Sequence, residues 1–382
     1  MGKREKKAYL EAIRERYRTA SKQEKRLILN EFCSVCGYHR KHAIRLLRKR
    51  RKPLTKGPIG RKPQYNTPEF LDCLKQLWLA TDQMGSKTFK AALPLWLPFY
   101  DCPDSVREQL LKISPATMDR RLLPIRRKAG KGRCATRPGT LLKTQIPIRT
   151  NHWDVTKPGF FEADTVAHCG NSLSGDFVYS LNLTDIQTTW TECRCVWNKG
   201  ATGVVEQIKD IEAILPFRLR GFDCDNGSEF INHHLVEFFR GKPVQFTRSR
   251  PYKTNDNAHV EQKNWTHVRQ LFGYDRIDNP ALVPLMNDLY KNEWALLMNH
   301  FHPTRKLINK IRFGSRYKKV YDQLKTPFQR VIDSTDVAVI QKLRLQSIHD
   351  SLNPFQLNVC IQRKIKAIFQ QVSVTSNVRL RI

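Results

Sequence analysis

The sequence predicts a mixed α/β protein: a strand-rich centre flanked by helical regions on both sides. Three observations lead to that class. Between Gly159 and Thr247, apolar and polar residues alternate in strand-length runs. Before residue 128 and after residue 280, apolar residues instead recur at helical spacing. The charge is also uneven. The chain has 382 residues and a formal net charge of +32. Residues 1–150 hold 36 Lys+Arg against 12 Asp+Glu, a net +24, and the remainder holds 31 against 23, a net +8. An excess of this size points to a polyanionic partner, most simply a nucleic acid.

Taken in order, residues 7–19 read as a helix with Tyr9, Leu10, Ile13 and Tyr17 at helical spacing. Ser21 and Glu24 form a capping-box pattern that opens a helix running to about Phe32. Gly37 marks a turn, and a basic helix follows from about His39 to Arg50. In that helix Ala43, Ile44, Leu46 and Leu47 face inward, leaving Arg40, Lys41, Arg45 and Arg48 outward. Helix, short glycine turn and basic helix make a helix-turn-helix signature, so these four cations are candidate DNA contacts. Cys33, Cys36, His39 and His42 have zinc-ligand chemistry, but Cys-x2-Cys runs straight into His-x2-His without the usual intervening segment, which favours thiols around a helical turn.

Lys52 to Thr67 is a basic connector. Helices resume over Pro68–Ala80 and again at Ser114-Pro115, a cap followed by proline in the first turn. The latter carries Arg120, Arg121, Arg126 and Arg127 and is a second candidate DNA-reading helix. Lys128 to Thr150 is rich in Gly, Pro and basic residues and reads as a linker.

In the centre, Phe160–His168, Phe177–Leu183 and Thr188–Trp197 read as three successive strands. A helix over 201–214, a strand over Phe217–Cys224, a helix over Ser228–Arg240, a strand over Val244–Thr247 and a helix over Asn257–Leu271 complete the order βββαβαβα. A meander followed by alternating helices and strands requires a mixed sheet with helices on its faces. Beyond 280 helices dominate, with one hairpin expected near Arg312–Tyr317.

Three acids stand out on this framework. Asp164 lies on the first strand, Asp225 ends the fourth, and Glu261 opens the last helix, with 35 residues between Asp225 and Glu261. If the first and fourth strands are neighbours, two carboxylates meet at one sheet edge and the helix brings a third. Such hard oxygen ligands suit Mg²⁺ or Mn²⁺, and two ions together can activate an attacking oxygen and stabilise a leaving one. Glu162 and Asp223 share strand parity with Asp164 and Asp225 and compete for the same role. With Glu229 and Asp256 they are read as structural or supporting. Asp185 heads a turn, and His168 and His259 are read as packing or DNA-contacting residues.

Asp164, Asp225-Asn226-Gly227-Ser228-Glu229-Phe230 and Glu261 resemble the D,D-35-E catalytic core of retroviral integrases and bacterial insertion-sequence transposases. The likeness covers about residues 150–275. It implies a ribonuclease-H-like mixed-sheet catalytic core, preceded by an all-α helix-turn-helix region and followed by a mostly helical C-terminal segment. The regions become 1–55, a helix-turn-helix DNA-binding domain; 56–127, helical with a second candidate helix-turn-helix; 128–150, a basic linker; 151–275, the integrase-type core; and 276–382, a helical C-terminal region.

The resemblance further implies a DNA transposase that binds its element's terminal inverted repeats and catalyses strand cleavage and strand transfer. Asp164, Asp225 and Glu261 would hold two Mg²⁺ or Mn²⁺ ions. Lys263 and Asn264, on the helix of Glu261, would contact DNA, and Arg248, Arg250 and Lys253 would form a basic lip before it. Joining two ends implies at least a dimer on DNA. A nuclease without strand transfer and an inactive DNA-binding regulator are the alternatives. No Walker-type loop calls for ATP. Ten scattered cysteines suggest reduced thiols, and no apolar run is long enough to span a membrane, so a cytoplasmic, nucleoid-associated protein is expected.

Overall fold

A computed structural model describes residues 2–48, 64–128, 156–224, 230, 233–248, 258–314 and 316–379. The chain divides into two compact units, Met1–Pro63 and Gln64–Ile382.

Among its described residues the first unit holds three helices: α1 (Lys3–Thr19), α2 (Lys22–Cys36) and α3 (Arg40–Arg48). The Ser21–Glu24 capping box forms as expected: Glu24 N–H donates to Ser21 Oγ, and Ser21 N–H donates to Glu24 Oε2 at 2.7 Å. Gly37 closes α2 in the left-handed region, φ 66°. Leu10, Ile13, Ile28, Leu29, Phe32, Ala43 and Leu47 form the core. Cys36 belongs to that core and Cys33 packs against it.

The second unit begins with α4 (Pro68–Ala80), α5 (Ser86–Trp96), α6 (Asp104–Lys112) and α7 (Pro115–Lys128). Its centre is a sheet of β1 (Phe160–Ala167), β2 (Val178–Asp185), β3 (Thr191–Trp197), β4 (Gly221–Cys224) and β5 (Gln245–Arg248), with α8 (Ala201–Ile214) and α9 (His233–Phe239) in the crossovers. The strand order is β3-β2-β1-β4-β5. β1, β2 and β3 pair antiparallel, whereas β4 pairs parallel to β1 and β5 parallel to β4. The βββαβαβα order read from the sequence therefore closes into a ribonuclease-H-like mixed sheet.

Both faces of this sheet are covered. On one, Phe161, Ala163, Leu181, Phe222 and Cys224 pack with Val204, Ile208 and Ile211 of α8 and with Leu235 and Phe239 of α9. On the other, Val166, Val178, Cys193 and Cys195 join one apolar cluster that runs from Phe70 and Leu74 of α4 to Ile361 and Ile368. The regions read separately before and after the sheet thus share a core with it. Glycine sets the approach of the two central strands: a Cβ on Gly221 would come within 2.4 Å of the Phe160 ring.

After β5 the chain forms α10 (Ala258–Lys263), a π-helical stretch Asn264–Arg269, and α11 (Gln270–Phe272). Next come α12 (Leu282–Leu289), a π turn over Tyr290–Trp294, and α13 (Ala295–Phe301). The hairpin expected near 312–317 is longer than read, with β6 (Leu307–Phe313) and β7 (Arg316–Tyr321). Helices α14 (Pro327–Asp333), α15 (Val339–Ser351) and α16 (Pro354–Arg379) end the described chain.

Candidate active site

The site grows from the alternation of β1. Phe161 and Ala163 face the apolar layer under α8 and α9, so Glu162 and Asp164 take the opposite face, where α10 packs. The parallel register sets Glu162 opposite Asp223 and Ala163 opposite Cys224. In the sequence Asp164 follows Ala163 and Asp225 follows Cys224.

Three contacts fix the helix to this face. Glu162 is fully buried, and its Oε2 accepts the Val260 N–H at 3.0 Å, in the first turn of α10. A carboxylate at a helix N-terminus satisfies an otherwise orphaned donor and complements the helix dipole. Two residues on, Asp164 is half-buried. Its Oδ2 accepts from Asn264 Nδ2 at 2.6 Å, and its Oδ1 accepts the Thr165 N–H at 2.7 Å. The Asn264 Oδ1 in turn accepts from Asn182 Nδ2 at 2.9 Å. Asn182 is fully buried on β2, directly opposite Asp164 in the antiparallel register. Asp223 accepts from the Thr247 hydroxyl at 2.6 Å, tying β4 to β5.

Of the three expected metal ligands, Asp164 is described in full. Asp225 lies outside the described residues. Glu261 lies in α10, one residue after the anchored Val260, and its side chain is outside the description. Glu229, Arg250, Lys253 and Asp256 are also outside it, as are the side chains of Arg248 and His259.

Of the two expected DNA contacts on this helix, Lys263 is buried and Asn264 is half-buried. Lys263 is 8% exposed, and burial pulls its ammonium down to about 8, with the nearby Arg330 charge acting in the same direction. His267 and His302 share its buried surroundings and are held below the usual imidazole range, mainly by burial. The DNA contact expected of Lys263 from the resemblance has its side chain buried here. Asn264 is engaged with Asp164 and Asn182. No sequence pattern marks the aromatic side chains beside this helix. Trp265 is 46% exposed and Tyr274 49% exposed, with ring centroids 6.4 Å apart. Arg269 stacks on Tyr274 and donates to Ala167 O at the end of β1.

Other residues fall into structural places. His168 is buried; its Nε2 shares a hydrogen bond with Ser180 Oγ at 2.8 Å, and burial pushes it down to about 3. Asp185 is buried at the end of β2 and accepts from the N–H and hydroxyl of Thr188 and from the Gly159 N–H, which organises the turn as expected. In the first unit Arg40, Lys41, Arg45 and Arg48 are all exposed. Arg40 also donates to Asn30, and Arg45 bonds His42. On α7, Arg126 pairs with Asp119 and lies over Trp78, so it serves that helix layer instead of a free surface.

The fold and this face define a ribonuclease-H-like α/β protein with acidic residues gathered on its central strands. No family model matches the chain. It is 40% identical over 332 residues to the uncharacterized protein y4rM of Sinorhizobium fredii (strain NBRC 101917 / NGR234), covering 84% of this chain and 93% of that protein. The chain belongs to the family of that protein. Among solved structures, the catalytic core domain of BIV integrase is similar at 14% identity, over 30% of this chain and 68% of that one, with a TM-score of 0.25. The magnesium-bound catalytic core of HTLV-2 integrase is similar at 14% identity, over 38% and 90%, with a TM-score of 0.28.

Proposed function

We propose that the protein is a DNA transposase: a metal-dependent enzyme that cleaves DNA at the ends of its element and joins them to a target. The observation that carries this reading is the register of β1 and β4. It pairs Ala163 with Cys224, the residues immediately before Asp164 and Asp225. The helix that carries Glu261 is pinned to the same face by Glu162.

The donors fit a hard divalent cation, because all three are carboxylates and the described one is oriented by an amide. An amide donor aims a carboxylate without neutralising it. Asp164, Asp225 and Glu261 would hold two Mg²⁺ or Mn²⁺ ions. Bound there, the metals would supply Lewis-acid activation of the attacking oxygen and charge stabilisation at the leaving one. The chain's own part is placement: Asn182 sets Asn264, Asn264 sets Asp164, and Glu162 sets the start of α10. The exposed cations of α3 would grip duplex DNA, and Trp265 and Tyr274 offer stacking surfaces near the site. Joining two DNA ends calls for at least two copies of the chain. Among the described residues no helix is long and apolar enough to cross a membrane.

The test uses labelled duplexes taken from either flank of the protein's own gene, incubated with supercoiled plasmid and Mg²⁺. Transposition predicts label covalently joined to plasmid. Nicking of the duplex with no joined product assigns the site to a nuclease instead.

A further inference from the structure

Outside the sheet, one element does not behave like part of a folded core. The ribbon of β6 and β7 is exposed along both strands and on both faces. Register pairs Phe313 with Arg316 and Ile311 with Lys318 on one face, and Arg312 with Tyr317 on the other. On the first face Phe313 is 61% and Ile311 40% exposed; on the second Tyr317 is 49% and Tyr321 39% exposed. An isolated two-stranded ribbon with neither face buried is marginal by itself.

Its charge is one-sided. From Arg305 to Tyr321 the sequence holds seven Lys+Arg and no Asp or Glu. Arg305, Arg312, Arg316, Lys318 and Lys319 are exposed. Cations alternate with aromatic rings: Arg305 lies over Tyr321 and Arg312 over Tyr317.

The base of the ribbon is firmly held. Lys306 Nζ donates to the Gln187 carbonyl at 2.7 Å, in the turn between β2 and β3. Lys306 N–H donates to Asp322 at 2.6 Å, Thr304 and Lys325 form a bridge, and Thr304 shares a hydrogen bond with Thr189. A rooted, basic, two-stranded ribbon with exposed rings has the width and the charge to enter a groove of duplex DNA.

We infer that the β6–β7 ribbon is a DNA-binding arm that lies in a groove of duplex DNA, its exposed cations on the phosphates and Phe313 at its tip against the bases. Seven strand residues at about 3.3 Å each reach roughly two-thirds of a helical turn of DNA. The arm rests on the reading that the protein acts on DNA, but it makes its own prediction about binding.

The experiment measures affinity of the full-length protein for a fluorescent duplex across a salt series. The variant Arg316→Ala/Lys318→Ala/Lys319→Ala should reduce the slope of log K against log salt by about 2–3, since each lost phosphate contact removes about 0.9. Lys318→Ala alone should reduce it by about 1. Phe313→Ala should weaken binding about tenfold and leave the slope unchanged, as expected for an apolar contact to bases. Unfolding midpoints should stay at the wild-type value, because these side chains are exposed. Wild-type slopes in both basic variants would overturn the arm, as would a change in oligomeric state with DNA binding intact. Cleavage assayed in parallel separates the two ideas. Ribbon-dependent binding by a protein that never cuts DNA sinks the transposase reading and keeps the arm, and normal cutting with wild-type slopes does the reverse.

Discussion

The two sides of the β1–β4 seam are made by alternating residues of the same two strands, and they have opposite chemistry. Phe161, Ala163, Phe222 and Cys224 form a dry apolar layer with α8 and α9. One residue away in each case, Glu162, Asp164 and Asp223 take the side covered by α10. The first side is ordinary core packing, which follows from burying apolar area. The second gathers carboxylates where burial penalises charge, and so needs a compensating reason. Glu162 finds part of it in the Val260 N–H, and Asp164 in Asn264. The apolar side holds the fold, and the acidic side is the proposed place of chemistry.

This contrast breaks most visibly at Phe222, which is fully buried between Phe230, Phe239 and Phe246. Phe222→Ala should cost about 3–5 kcal/mol of unfolding free energy. Urea denaturation followed by circular dichroism measures it. A loss below about 1 kcal/mol would mean that this layer is not the structural half.

On the acidic side, Asn264→Ala should spare stability far more than rate. Single-turnover cleavage should slow about 10–100-fold, the range for loss of a residue that orients a ligand. Asn264→Asp should not rescue it, because a second carboxylate beside Asp164 repels rather than donates. An Asn264→Ala enzyme at the wild-type rate would show that the amide merely fills space.

The next effect concerns His168, behind the seam. Its folded-state pKa of about 3 lies below the ordinary 6.5, so the unfolded chain binds the proton more readily. Stability should be intact above pH 6.5 and decline as the pH falls below it, by up to about 1.4 kcal/mol per pH unit from this group. His168→Gln, which keeps a donor toward Ser180, should flatten that part of the profile. Parallel wild-type and variant profiles from pH 7 to 5 would remove His168 from the account.

The smallest effect separates buried from exposed cations. Arg45→Ala, on the exposed face of α3, should lower the salt slope of DNA binding by about 1. Lys263→Met should leave that slope unchanged, because Lys263 is buried. A reversed result would place the DNA on the other surface.

Much of the fold was legible because alternation and helical spacing are local signals. The βββαβαβα order and the Ser21–Glu24 cap follow from residues close together in sequence. What could not be read depended on distant partners. Helices α5 and α6 lie within the region read as helical over 56–127 but were not placed singly, and Pro94 is accommodated in the last turn of α5. The burial of Lys263, expected from the resemblance to contact DNA, was likewise not readable from the helix alone. Asn182 carried a usable signal: an asparagine amid the apolar residues of β2 needs a polar partner. Which partner it has depends on Asn264, 82 residues away. The exposure of both ribbon faces was likewise invisible, since its alternating residues imply a buried side.

The most direct test of the central claim is single-turnover cleavage of element-end DNA by Asp164→Asn, Asp225→Asn and Glu261→Gln, with binding measured on the same samples. The account predicts Mg²⁺-dependent cleavage by the wild-type protein, and at least about a 10³-fold loss in each variant with DNA affinity retained. Wild-type cleavage by any one of the three would contradict it.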